Sequence, residues 1–137
     1  MESRHASAPV LGYVRCGEGE EETEEIIEYI RLPESLVGTG EFFVLIAKGN
    51  SMVDAGVNEG DYVVVRKQIT ANDGDYVVAF YEGLNNLKKL VRENGRYILR
   101  SCNEDKTTYP DIYPRELKIQ GVAVCVMHRL KNANRNS

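Results

Sequence analysis

Ser51 lies in the stretch GNSMVDAGVNEGD, residues 49–61, with glycines on either side that favour turns. A serine hydroxyl is a poor nucleophile until a base takes its proton. Histidine is the commonest base, but the only two histidines, His5 and His128, stand near the ends of the chain. Lysine can serve where burial lowers its pKa, because desolvation disfavours the ammonium form. NNLKKLVRE supplies Lys88 and Lys89 between Leu87 and Leu90. Successive side chains of a strand point to opposite faces, so one of these lysines faces inward and the other outward. Composition alone leaves open which one. By itself a turn serine is ordinarily structural, and a strand lysine is ordinarily a surface group. Together they offer the chemistry of a Ser–Lys dyad acting on an acyl bond.

The elements that must position this pair are mostly strands. EFFVLIAK (41–48), DYVVVRK (61–67), DYVVAFY (75–81), LKKLVRE (87–93), RYILRS (96–101) and LKIQGVAVCVM (117–127) are rich in Val, Ile, Leu and Tyr. Turn chemistry separates them: NEGD, ANDGD, ENGR and NEDKTTYPD. ENGR is a good hairpin signal, since Asn-Gly readily takes positive φ at both turn positions. Upstream, APVLGYV reads as extended. The β-branched content of EIIEYIRL (25–32) favours strand, and Pro33 limits its length. PESLVG can make one helical turn that stops at Gly38. GEGEEETEE (17–25) reads as a solvated loop kept open by like charge rather than a docking element. Neither a long amphipathic helix nor a helix-turn-helix pattern is visible. The pattern predicts a mostly-β fold of short curved antiparallel sheets, partly barrel-like.

The totals narrow the function classes. With 137 residues the chain fits one compact domain. A net charge of −4 argues against direct DNA binding, which draws on a surplus of Lys and Arg facing phosphates. Cys16, Cys102 and Cys125 are odd in number and form no CxxC pair. Neither a disulfide framework nor a zinc site is indicated, and no metal or other cofactor is expected. A reducing compartment is the natural reading. No apolar run approaches the length of a membrane span, and the first residues lack a signal-peptide core. The expected location is the cytoplasm.

Several of these pieces occur in one family. GNSMVDAGVNEGDYVVV, then DGDYVVAF, then LKKL, then GVAVCV resemble the self-cleaving peptidase domain shared by LexA repressors and UmuD proteins. There a G-x-S-M-x-[DP] motif carries a nucleophilic serine, and a lysine in a V-K-R-L-like strand carries the base. The matching positions are Ser51 and Lys88, 37 residues apart, the spacing the family uses. The alignment selects Lys88 over Lys89. Leu87 stands for the usual valine and Lys89 for the usual arginine, both mild departures. PVLGYVRCGEGE resembles the segment such proteins cut in their own chain, which places the scissile bond between Cys16 and Gly17. Gly17 has no side chain to block approach to the preceding carbonyl. A tethered substrate also gains the effective molarity of an intramolecular reaction.

The resemblance covers roughly residues 9–130, with Ser51, Lys88 and Cys16–Gly17 in register. It implies a flexible leader at 1–8, a peptidase and dimerisation domain at 9–130 with a cleavage loop at about 12–25, and a flexible tail at 131–137. Ser51 and Lys88 are the implied catalytic residues. Backbone N–H groups around Asn50 and Ser51 are the candidates for an oxyanion hole. Met52 is a candidate for the cleavage pocket, and Asp54 for ordering the turn. The implied biology is the SOS response to DNA damage. A recombinase filament on single-stranded DNA shifts one loop toward its cleavage-competent position, and the domain is a homodimer. Too few residues precede Gly17 for a DNA-binding domain. A complete chain is thus expected to be closer to UmuD, whose trimmed form serves a translesion polymerase. ITANDGDYVVAF and the Cys-Gly bond look more UmuD-like than LexA-like. A cut-down chain would be the autocleavage half of a LexA-like transcriptional repressor. The rival expectation is a non-catalytic dimerisation module of a phage or SOS repressor. Distant relatives that cut signal peptides need a membrane anchor, which this sequence does not show.

Overall fold

Apolar runs that bury alternate residues on opposite faces build a single sheet. The computed structural model describes residues 4–16 and 21–130; for 13–16 and 21–23 it describes the backbone alone. The strands are β1 (His5–Cys16), β2 (Glu21–Pro33), β3 (Phe42–Ile46), β4 (Tyr62–Lys67), β5 (Tyr76–Tyr81), β6 (Leu84–Glu93), β7 (Arg96–Arg100) and β8 (Ile119–Met127). One helical turn, α1 (Glu34–Val37), follows Pro33 and ends at Gly38, whose φ of 85° releases the chain from the helix. β1 begins at His5, inside the segment read as a leader, and the described parts of the segment read as a cleavage loop, 12–16 and 21–25, belong to the paired strands β1 and β2. The tail at 131–137 lies outside the described residues.

The sheet has eight strands in the order β2-β1-β3-β4-β8-β5-β6-β7. This corrects the expectation of several short, partly barrel-like sheets. The two ends of the order, β2 and β7, do not pair with each other, so the sheet stays open. Nor is it wholly antiparallel, since β1 runs parallel to β3 through Val10–Val44 and Leu11–Leu45. Curvature comes from register shifts at Val10/Leu11, Val64/Val65 and Val78/Ala79. An extra residue on one strand bends it locally without closing the sheet.

The central strands are buried on both faces, which explains their unbroken apolar runs. In β4, Val64 packs with Ala8, Val10, Leu32, Val37, Phe42 and Val44. Its neighbours Val63 and Val65 pack on the opposite side with Phe43, Met52, Val57 and Val78. A third cluster joins Val77, Ala79, Leu90, Leu99, Ile119 and Val122, where β5, β6, β7 and β8 meet. The ENGR turn closes the β6–β7 hairpin with Asn94 at φ 51° and Gly95 at φ 76°. Among the described residues no helix is long and apolar enough to cross a membrane.

Candidate active site

β3 ends at Ile46 and β4 begins at Tyr62. The connection between them carries Ser51. Gly49 makes the first bend at φ 72°, a conformation that L side chains rarely adopt. The Val53 N–H then reaches back to the Asn50 carbonyl at 3.4 Å, closing a turn with Ser51 and Met52 at its centre. The N–H groups of Ala55 and Val57 donate to the Met52 carbonyl at 3.0 and 3.2 Å. Met52 itself is buried against Phe43, Val57, Val63, Val65 and Val78. One apolar side chain thus anchors the turn that presents the neighbouring hydroxyl.

Two further contacts clamp the turn from the segment after β7. The Asp54 N–H donates to the Cys102 carbonyl at 2.8 Å. The Asn103 side-chain amide donates to the Asn50 carbonyl at 2.7 Å. Asp54 does help to order the turn, but through its backbone N–H.

Lys88 comes from β6, opposite Val77 of β5. Its Nζ lies 3.2 Å from Ser51 Oγ, and both side chains are half-buried. Of the two adjacent lysines, Lys88 is therefore the one brought to the serine. Burial holds the Lys88 amine below the ordinary lysine value, with Cys102, when ionised, opposing that shift. A neutral amine within hydrogen-bond reach of a hydroxyl can accept its proton.

The pair sits at a cleft of about 250 Å³. Leu45, Ala47, Met52, Val57 and Leu87 supply its apolar lining, beside Ser51 and Lys88. Such a surface suits a small uncharged side chain next to the hydroxyl. Leu11 of β1 also reaches it, so the strand leading toward Cys16 borders the cleft. Cys16 is the last residue of β1, paired through its backbone with Glu21. Gly17 lies outside the described residues. Among the described residues no cluster of three or more His, Cys, Asp or Glu could hold a metal ion.

Two residues near this site escaped the sequence reading. Asn103 stood in NEDKTTYPD, a segment that reads only as a turn. Asp61 likewise stood in the NEGD turn segment, yet it is buried and bonded to His128, at 2.7 Å between Oδ1 and Nδ1. His128 therefore has a partner, although far from Ser51 in sequence and not part of the pair. Cys102 and Cys125 are half-buried at the edges of separate apolar clusters.

A turn serine held against a shielded lysine on a mostly-strand scaffold is the arrangement of a Ser–Lys peptidase dyad. The chain belongs to the Peptidase S24-like family, whose model matches residues 9–124. It is similar to the LexA repressor of Syntrophotalea carbinolica, with 38% identity over 130 residues, covering 95% of this chain and 64% of that protein. The LexA repressor of Pelotomaculum thermopropionicum is 39% identical over 124 residues, covering 90% of this chain and 60% of that protein. That of Thermotoga petrophila is 36% identical over 123 residues, covering 89% and 62%. The chain thus spans less than two thirds of the length of these relatives.

Proposed function

We propose that this chain is a self-cleaving serine endopeptidase that cuts its own Cys16–Gly17 bond. Ser51 is the nucleophile and Lys88 the general base. The observation that carries the reading is the 3.2 Å approach of Lys88 Nζ to Ser51 Oγ, on an amine whose ammonium form burial disfavours. As the Oγ–carbon bond forms at the Cys16 carbonyl, the hydroxyl proton passes to Lys88. The tetrahedral intermediate places negative charge on the former carbonyl oxygen, where the Ser51 N–H is a candidate donor. Collapse breaks the carbon–nitrogen bond, and Lys88 returns the proton to the departing Gly17 amine. Water, deprotonated by the same amine, then releases the acyl group from Ser51. The small apolar cleft beside Ser51 accommodates a cysteine side chain at the cut.

The wider setting follows from the family. The chain acts in the SOS response to DNA damage, in the cytoplasm and as a homodimer. A recombinase filament on single-stranded DNA favours the cleavage-competent form. Its product is either the trimmed partner of a translesion polymerase or the inactivated part of a LexA-like repressor. The chain makes no direct contact with DNA, in keeping with a net charge of −4.

Alkaline incubation tests the chemistry without any partner, because it deprotonates Lys88 more fully. Fragments ending at Cys16 and beginning at Gly17 should accumulate and be seen by mass spectrometry. A rate independent of protein concentration marks cleavage within one chain. Ser51→Ala and Lys88→Ala should each stop it with the fold intact. Cleavage persisting at the same bond in Ser51→Ala would refute the reading.

A further inference from the structure

The Asn50–Ser51 peptide is held by a group outside the Ser–Lys pair. The Asn103 Nδ2 donates to the Asn50 carbonyl at 2.7 Å, across 53 residues of sequence. The other end of the same amide is also committed, since Asn103 Oδ1 accepts the Asp105 N–H at 2.9 Å. With both ends engaged, the amide cannot flip without losing a bond, so its donor faces Asn50. The neighbouring Cys102 carbonyl accepts the Asp54 N–H at 2.8 Å, fixing the far side of the same turn.

A planar trans peptide points its C=O and its N–H in opposite directions. A donor that pins the Asn50 oxygen on one side therefore aims the Ser51 N–H to the other. Among the described residues that N–H donates to no other group. Ser51 itself faces the cleft, with Lys88 at its hydroxyl. We propose that Asn103 is a positioning residue: it locks the peptide plane so that the Ser51 N–H is preset to receive the oxyanion. The Val53 N–H also reaches the Asn50 carbonyl, but only at 3.4 Å, and leaves the plane freer to rock. Asn103 is thus a positioning group for the transition state and takes no proton. The inference rests on the proposed self-cleavage.

The test compares alkaline self-cleavage of the full chain in Asn103→Asp and Asn103→Ala with the parent and with Ser51→Ala. Asn103→Asp keeps the oxygen that accepts the Asp105 N–H but sets a carboxylate oxygen against the Asn50 carbonyl. The expected result is a cleavage rate on the alkaline plateau lowered about 10-fold to 100-fold. The pH midpoint, set by Lys88, should not move in Asn103→Ala; in Asn103→Asp the added carboxylate favours the ammonium form and raises it, so rates are compared on the plateau. Parent-level rates in Asn103→Asp would overturn the inference. So would a plateau rate that returns to the parent's once it is corrected for the folded fraction of the variant, because that describes a residue that only supports the fold. If Asn103→Ala does not fold, Asn103→Asp decides alone. Ser51→Ala separates the two levels. Cleavage in that variant sinks the self-cleavage reading itself. Silence there, with full rate in Asn103→Asp, sinks only the role of Asn103.

Discussion

His128 Nδ1 lies 2.7 Å from Asp61 Oδ1, and Asp61 is only 3% exposed. The second carboxylate oxygen accepts the Asn58 N–H at 2.8 Å, and the Asp61 carbonyl accepts the Ala47 N–H at 2.9 Å. One buried residue therefore ties the end of β8 to both ends of the connection that carries Ser51, through its carboxylate to His128 and Asn58 and through its backbone carbonyl to Ala47. Asp61→Ala removes the acceptor of the Asn58 N–H and releases His128, and should lower stability by about 1–2 kcal/mol. Asp61→Asn retains one acceptor and should cost less. His128→Ala removes a half-exposed partner and should cost about 1 kcal/mol or less. Urea unfolding ranks the three, and the idea fails if Asp61→Ala unfolds at the parent's midpoint.

Lys88 is held below the ordinary lysine value by burial. The sign follows from proton binding. At a pH between the lowered folded pKa and the unfolded value of about 10.4, the unfolded chain binds more protons at this site. Stability attributable to Lys88 therefore rises with pH across that window. Below the window the folded protein carries a poorly solvated ammonium. Lys88→Met should raise the thermal midpoint at neutral pH, and its advantage should shrink as the pH climbs. Self-cleavage by the parent should increase over the same window and be absent in Lys88→Met. Thermal scans at several pH values check the first part and a fragment assay the second. A lower midpoint for Lys88→Met at neutral pH would contradict the assignment of burial as the cause.

Much of this was legible in the sequence, and for a physical reason. The strands come from short apolar runs bounded by Gly, Asn and Asp, a signal that depends only on neighbouring residues. Ser51 and Lys88 could be paired because their motifs match a family. What local pattern cannot supply is the partner across the fold. Whether Lys88 or Lys89 meets Ser51 depends on the β5–β6 register, which opposes Lys88 to Val77. The Asn103–Asn50 and Asp61–His128 bonds join segments 53 and 67 residues apart, with nothing in their flanking residues to announce them. Sheet closure was misjudged for the same reason. Bulges bend an open sheet and a barrel alike, and only the pairing of the outermost strands distinguishes them.

The turn that leads into the Lys88 strand is strained at one position. Glu82 at φ 50° and Gly83 at φ 78° form a two-residue connection between β5 and β6. Both central positions of such a turn need positive φ, which favours Asn or Gly over a residue with a longer side chain. Glu82→Asn should therefore stabilise the domain by about 0.5–1 kcal/mol. Denaturant unfolding measures it, and an unchanged or lowered midpoint would mean that the turn relaxes at no cost.

Gly121 reports how closely β4 and β8 approach. It pairs with Lys67, and a Cβ built there would collide with the Arg66 carbonyl oxygen and the Val65 side chain. The obstructing oxygen belongs to a paired strand and cannot swing aside. Gly121→Ala should therefore cost about 2–3 kcal/mol, at the upper end for overpacking. Gly12 in β1 is the instructive contrast. A Cβ there would meet the Ile27 side chain at 3.1 Å, and Ile27 is half exposed and able to rotate away. Gly12→Ala should cost less than about 1 kcal/mol. Paired unfolding curves decide it: equal losses at the two positions would show that the β4–β8 spacing, and with it the scaffold beneath Ser51, is more yielding than the backbone contact requires.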